Sequence, residues 1–311
     1  MPYSNLDGGR IHKGVGELFR WKLGSGKHTP DKRDVAPAPW VANDGAALIG
    51  APREALTFIG HASWLVQMAG RSLVIDPIYA ENLFVTKRAA RPGLAQGALP
   101  ALDAILITHN HRDHLDAPSV RALSERSRLR GESPPTFIVP LGVGAQLPKN
   151  VGPIIELGWW EHTDVGDARV TFVPSEHWSQ RGAFDRNETL WGGYIIESGG
   201  KRVYHSGDTA YFTGFREIGA RLGRIHSAML PIGAYEPRWF MKGQHMNPDD
   251  AVQAFLDLGA ERFVAMHWGT FKLTDEHLDE PPKRLREVLS ERKLEDAAFS
   301  VPAIGATIPL L

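Results

Sequence analysis

The segment Thr108-His109-Asn110-His111-Arg112-Asp113-His114-Leu115-Asp116 sets three imidazoles and a carboxylate within the six positions from His109 to His114. Nitrogen and oxygen donors at that density suit zinc or a related transition metal. The segment follows Ala104-Ile105-Leu106-Ile107, an apolar run that reads as a buried strand, so the donors stand where a strand ends. The plainer alternative is a histidine-rich surface loop, and it is decided by whether the chain supplies the remaining ligands.

Three more donors each follow a β-like run. His177 comes after Val170-Thr171-Phe172-Val173-Pro174-Ser175, Asp208 after Val203-Tyr204-His205-Ser206-Gly207, and His267 after Phe263-Val264-Ala265-Met266. In α/β sheets functional groups gather where strand ends feed loops on one rim, so four clusters in that context can converge. The chain has no cysteine, which leaves only nitrogen and oxygen ligands. Five histidines and two aspartates are too many for one zinc and suit two zinc ions. The expected allocation puts His109, His111 and His177 on one ion and Asp113, His114 and His267 on the other, with Asp208 and a hydroxide as bridges. Two dications, two aspartates and one hydroxide sum to about +1, which favours an anionic substrate. Asp208 and Asp113 are then the carboxylates that shape the catalytic hydroxide, and no general acid is evident. Gly207 and Gly269 are expected to let the backbone approach the metals. Asp76, at the end of Leu73-Val74-Ile75, is expected either to accept a hydrogen bond from a ligand imidazole or to form an Asp-Pro turn.

The elements that must position these groups read as an α/β chain. Of 311 residues, 42% are hydrophobic and 23% charged, an ordinary globular composition. Net charge is −1, so no overall field favours nucleic acid or an acidic membrane surface. The N-terminus lacks a signal-peptide pattern and no run reaches the ~20 apolar residues of a membrane span, so a cytoplasmic protein is expected. Residues 1–53, rich in Gly, Pro, Lys and Arg, read as an arm on the surface of a hydrolase domain spanning 54–311, with one short helix over Gly16–Leu23 anchored by Phe19 and Trp21. From Ala55 short runs at Leu56–Ile59, Ser63–Gln67 and Ser72–Ile75 read as a meander. Later strands are expected at Ala104–Ile107, Thr136–Val139, Val170–Val173, Tyr194–Glu197, Arg202–Tyr204, Ala228–Ile232 and Phe263–Met266. Helices are expected over roughly 117–127 behind Asp116 as cap, with Val120, Ala122 and Leu123 inward, and over 212–222. Two more follow Asn247-Pro248 and span Pro281–Leu294.

These residues resemble a known family. The pattern His109-x-His111-x-Asp113-His114 with His177, Asp208 and His267 is similar to the metallo-β-lactamase superfamily. Within it the chain resembles the N-acyl-phosphatidylethanolamine-hydrolysing phospholipase D family. The specific matches are Pro231-Ile232-Gly233-Ala234-Tyr235-Glu236-Pro237-Arg238-Trp239-Phe240-Met241-Lys242 and His267-Trp268-Gly269-Thr270-Phe271, and the similarity runs from about 55 to 295. The resemblance implies an αββα sandwich of two mixed sheets flanked by helices, a dinuclear zinc centre on the seven positions above, and phosphodiester hydrolysis. It also points to a phospholipid substrate, membrane contact that is at most peripheral, and a homodimer. His61 falls on a family position and is expected to support the site without ligating. Arg112, Gln180, Gln244, His245 and Trp239 are the expected substrate-pocket residues, and at Arg112 and Gln180 the chain departs from the family's tyrosine and lysine. His205 has no family counterpart and is expected to pack or face solvent, while His12, His28, His162 and His226 carry no signal. Two rival readings keep the fold: a lactonase or ester hydrolase using the same hydroxide on a carbonyl, and a non-enzymatic lipid-binding module.

Overall fold

A computed structural model of the chain describes residues 2–11, 14–23, 37–49 and 54–310; His12 and His28 lie outside them. Helix α1 (Val15–Lys22) forms where expected, but its anchors differ from the reading. Trp21 donates from Nε1 to Asp275 at 2.8 Å and packs on Phe240, whereas Phe19 is 60% exposed and anchors nothing.

The meander is β1 (Ala55–Gly60), β2 (Ser63–Met68) and β3 (Arg71–Ile75), paired antiparallel. A two-stranded hairpin of β4 (Asn82–Leu83) and β5 (Thr86–Lys87) follows, then β6 (Ala104–Leu106), helix α2 (Ala117–Leu129), β7 (Thr136–Pro140) and β8 (Ile154–Leu157). The second half runs β9 (His162–Val165), β10 (Ala168–Val173), β11 (Gly193–Ser198), β12 (Lys201–His205), α3 (Gly214–Leu222) and β13 (Ser227–Pro231). It continues through α4 (Arg238–Met241), α5 (Pro248–Leu258), β14 (Phe263–Met266), α6 (Glu280–Arg292), β15 (Phe299–Ser300) and β16 (Thr307–Pro309).

Two seven-stranded sheets result, ordered β16-β1-β2-β3-β6-β7-β8 and β15-β14-β13-β12-β11-β10-β9. Both are mixed: in the first, β3-β6-β7-β8 pair in parallel, and in the second, β12-β13-β14-β15 do. The final strand β16 crosses back to β1, so the chain's end closes the first sheet.

Period-2 alternation explains the layering. Trp64, Val66 and Met68 of β2 join the core shared with the second sheet, while Leu65 between them packs outward with Val120 and Leu123 of α2. Burying each such side chain contributes about 1.5–3 kcal/mol. Helices α3, α5 and α6 pack side by side with their apolar faces in the core cluster of the second sheet, which completes the αββα order of layers. Tyr194 of β11 reaches across the sandwich, its hydroxyl donating to the carbonyls of Ile107 and Ile138 at 2.8 and 3.0 Å.

Of the described α-helices only α5 starts on a side-chain cap. Asn247 caps α5 by accepting from the Asp250 N–H, and Gly259 ends it in a left-handed conformation. Asp116 sits at the cap position of α2, but its side chain takes the Ser119 hydroxyl and no backbone N–H. Ala122 is only half-buried, and Ser124 and Ser127 fill the inner face. The helix expected over 212–222 begins at Gly214.

Candidate metal centre

The strand ends bring the donors from both sheets to one place. His109, His111, Asp113 and His114 follow β6 of the first sheet, whereas His177, Asp208 and His267 follow β10, β12 and β14 of the second. Four overlapping donor groups emerge among the described residues: one set of His109, His111 and His177, one of His61, Asp113, His114 and His267, and two that join Asp208 to His109 and His114 or to His177 and His245. Asp208 stands between them: its Oδ2 lies 3.2 Å from His114 Nε2, 3.9 Å from His177 Nε2 and 4.0 Å from His109 Nε2, and its Oδ1 lies 3.1 Å from His267 Nε2.

The ring protons are parked away from the centre. His114 Nδ1 donates to Asp76 Oδ2 at 2.7 Å, and His177 Nδ1 donates to the Gln244 carbonyl at 2.9 Å. The Thr108 hydroxyl gives its proton to Asp76 Oδ2 at 2.7 Å, so it accepts from His109 Nδ1 at 2.9 Å. Thr108 N–H also donates to Asp76 Oδ1 at 2.8 Å, so Asp76 accepts three hydrogen bonds with no exposed surface. It acts as the ligand's acceptor and not merely as a turn former. Each of these three ligand imidazoles is thereby left with a bare Nε2 lone pair facing inward.

Those lone pairs test whether a metal fits. His111 Nδ1 is 2.9 Å from His109 Nε2 and 3.2 Å from His177 Nε2. Three nitrogen lone pairs so close repel unless a cation or proton lies among them, and neutral imidazoles are zinc's usual partners. His114 Nε2, His267 Nε2 and Asp208 Oδ1 are buried there without a hydrogen-bond partner. Burial, with help from neighbouring imidazoles, pushes His111 down to about 4 and His177 to about 3, so both are neutral at pH 7. At His267 burial also lowers the pKa, yet the Asp208 and Asp113 carboxylates outweigh it and raise the ring to about 9; His114 is raised for the same reason. The two carboxylates therefore demand positive charge, which protons or metal cations can supply. The residues fit bound metal.

His61 touches this centre from behind. Its Nε2 is 3.1 Å from Asp113 Oδ2, its carbonyl accepts from His267 N–H at 2.8 Å, and burial lowers its pKa to about 3. His245 faces Asp208, its Nδ1 3.9 Å from Oδ2, at the partly open side of the cluster. Gln244 is buried and acts through its main chain, its side-chain nitrogen turning to Met241 Sδ. Arg112 is exposed at the mouth, between the Phe84 ring and the Arg181 carbonyl. Two expected pocket residues lie elsewhere in their contacts. Gln180 bonds locally to the Gly182 carbonyl, and Trp239 is 41% exposed under the Arg20 guanidinium of α1, away from the ligands.

The glycines also need a different explanation. A Cβ at Gly207 would meet the Gly192 carbonyl at 2.5 Å and Thr108, and one at Gly269 would meet Ala38 at 2.5 Å. Both have positive φ, and their missing Cβ admits the Gly192 backbone and Thr108 side chain at Gly207 and the Ala38 side chain at Gly269. His205, fully buried, ties the halves together, donating from Nε2 to the Ala62 carbonyl and accepting the Gly207 N–H at Nδ1. Sequence reasoning missed Thr108, although its position next to the first ligand was a usable signal. It also missed Asn5 and Glu276, for which no local pattern exists. Glu276 accepts the N–H groups of Ala234, Tyr235 and Glu236 and holds the loop that leads to Gln244.

A sequence model described as the β-lactamase superfamily domain matches residues 71–268, and the chain belongs to that superfamily. Fold and site together define a hydrolase of the metallo-β-lactamase fold. Among sequence relatives, an N-acyl-phosphatidylethanolamine-hydrolyzing phospholipase D of Caenorhabditis elegans is 36% identical over 269 residues, covering 80% of this chain and 74% of that protein. A metal-dependent hydrolase of Rubrobacter xylanophilus is 30% identical over 240 residues, covering 75% and 89%. In structure the chain is similar to a metallo hydrolase of Ignicoccus hospitalis, with TM-score 0.58 and 22% identity over 83% of this chain and 98% of that one. No helix among the described residues is long and apolar enough to cross a membrane.

Proposed function

We propose that the protein is a dinuclear zinc phosphodiesterase that hydrolyses N-acyl-phosphatidylethanolamine or a closely related phosphodiester. The observation that carries this reading is the position of the block 231–242. It leads directly into Gln244, whose carbonyl fixes His177, and His245, which faces Asp208 from the open side. The stretch most specific to the phospholipase D resemblance thus leads into two residues that face the candidate centre, and the Caenorhabditis elegans relative bears that activity in its name.

His109, His111 and His177 would hold one zinc, Asp113, His114 and His267 the other, and Asp208 reaches both sets. Zinc bound there supplies positive charge to phosphate oxygens and acidifies water to a pKa of about 7. The chain's own part is preorganisation: Asp76, Thr108 and the Gln244 carbonyl hold the ring protons on the outer nitrogens, so no tautomer change accompanies the reaction. His245, kept neutral because burial lowers it to about 3, can accept a hydrogen bond from the substrate without adding charge. No side chain here is assigned as general acid.

The test is metal analysis combined with parallel assays on N-acyl-phosphatidylethanolamine, an aryl phosphodiester and a lactone. Two zinc ions per chain with turnover of the diesters supports the proposal. Metal-loaded protein that opens only the lactone, or acts on nothing, overturns it.

A further inference from the structure

The N-terminal segment does more than lie on the domain. Asn5 is 3% exposed and separated by some 170 positions from everything its side chain touches. Its Oδ1 accepts the backbone N–H of His177 at 3.1 Å and the Trp191 indole N–H at 3.0 Å, while its Nδ2 donates to Glu176 Oε1 at 2.8 Å. Both polar atoms of the amide head are used, in three hydrogen bonds, and two of these fall on Glu176 and the main chain of His177. The segment around it is shaped to deliver that amide. Asn5 and Gly9 close a tight loop through Asn5 N–H to Gly9 O and Gly8 N–H to Asn5 O, both at 2.8 Å. Tyr3 N–H donates to the Asn187 carbonyl at 2.7 Å, and the Ile11 carbonyl accepts from Arg186 at 2.6 Å. The loop carrying His177 is therefore gripped from the arm on both sides.

We infer that Asn5 is a positioning residue for the metal ligand His177, and that residues 2–11 form a latch whose seating and the metal held by His109, His111 and His177 strengthen each other. The inference rests on the metal reading above. Without Asn5 the buried His177 N–H loses its acceptor, the Trp191 indole N–H keeps only the Ser175 carbonyl, and the His177 main chain is free to shift. The remaining ligands, set by Asp76 and His61 from the other side, have no contact with the latch. The expected effect is therefore confined to one of two metal equivalents. Outer partners of metal ligands typically account for about 10–100-fold in affinity. Because coupling is reciprocal, metal removal must loosen the latch by the same factor.

The experiment titrates zinc into purified apoprotein against a chromophoric chelator, comparing wild type, Asn5→Ala and the exchange pair Asn5→Asp with Glu176→Gln. The exchange pair keeps both acceptor contacts and reverses the donor between positions 5 and 176. The expected result is one site of wild-type affinity and one about 10-fold or more weaker in Asn5→Ala, with recovery in the exchange pair. In parallel, wild-type protein with and without zinc is digested with trypsin, and cleavage after the exposed Arg10 is followed by mass spectrometry. Faster cleavage of the apoprotein supports the latch. Equal cleavage rates overturn the inference, as does an Asn5→Ala protein that binds both equivalents as wild type does. If Asn5→Ala does not fold, the exchange pair and the wild-type digestion still decide. Wild type that binds no metal refutes the proposed function instead, which separates the two failures.

Discussion

Replacing Asp76 by Asn changes no volume and tests the account of how the ligands are held. The carboxylate accepts from Thr108 N–H on Oδ1 and from the Thr108 hydroxyl and His114 Nδ1 on Oδ2. A carboxamide has only one acceptor oxygen. With its oxygen at the Oδ2 position, its NH2 faces the Thr108 N–H. Turned the other way, the NH2 faces His114 Nδ1, and His114 must move its proton inward onto the nitrogen aimed at the metal. One buried donor without an acceptor costs about 1–3 kcal/mol, and breaking a buried charged pair costs about 3–5 kcal/mol, so Asp76→Asn should destabilise the fold by about 2–5 kcal/mol. The same change should weaken zinc binding about 10–100-fold at the set containing His114. Urea unfolding of the metal-free protein measures the first effect and chelator competition the second. A variant within about 0.5 kcal/mol of wild type, as expected of a neutral substitution, and with unchanged zinc affinity would refute the reasoning.

Chelation should abolish hydrolysis and lower the thermal midpoint, since a ligand at 100 times its dissociation constant adds about 2.7 kcal/mol of stability; calorimetry showing equal midpoints would contradict it. Glu276→Ala removes the acceptor of three main-chain N–H groups and the Thr274 hydroxyl, and should cost about 2–4 kcal/mol in denaturant titrations, with faster amide exchange across 234–236. Glu176 is raised from 4.5 to about 7 by burial and then by the Asp7 charge, against the opposing Asn5 hydrogen bond. Its contribution is thus full below about pH 4.5 and lost as pH rises through about 7. Glu176→Gln should therefore gain in thermal midpoint relative to wild type between pH 5 and pH 8, and a difference that is flat with pH would count against that.

Much of this was legible because the strongest signals are local. His109 through His114 declare themselves in six positions, and the core strands are apolar runs that end just before the other donors. What escaped the reading depends on partners distant in sequence or on the main chain. The strands Ile154–Leu157, His162–Val165 and Thr307–Pro309 are partly exposed edge or near-edge strands, so their composition lacks the apolar run that marks a buried one. Asn5 finds its partners only after folding, and Gln244 works through a carbonyl that every residue type possesses. Aromatic identity alone could not tell Trp239, at the surface, from Trp178, whose ring meets His111 edge-on at 4.4 Å.

The order in which the groups appear along the chain has a consequence for biosynthesis. Four of the seven donors follow a strand of the first sheet and three follow strands of the second, and the last, His267, is tied by its N–H to the carbonyl of His61. A ribosome that has made β1 to β8 has produced four of the seven donors, with neither set complete. Translation must pass residue 267 before both sets exist, and Asn5 finds Glu176 171 positions further along the chain. A chain that stops short of residue 267 therefore lacks a donor of the second set, however complete the first is.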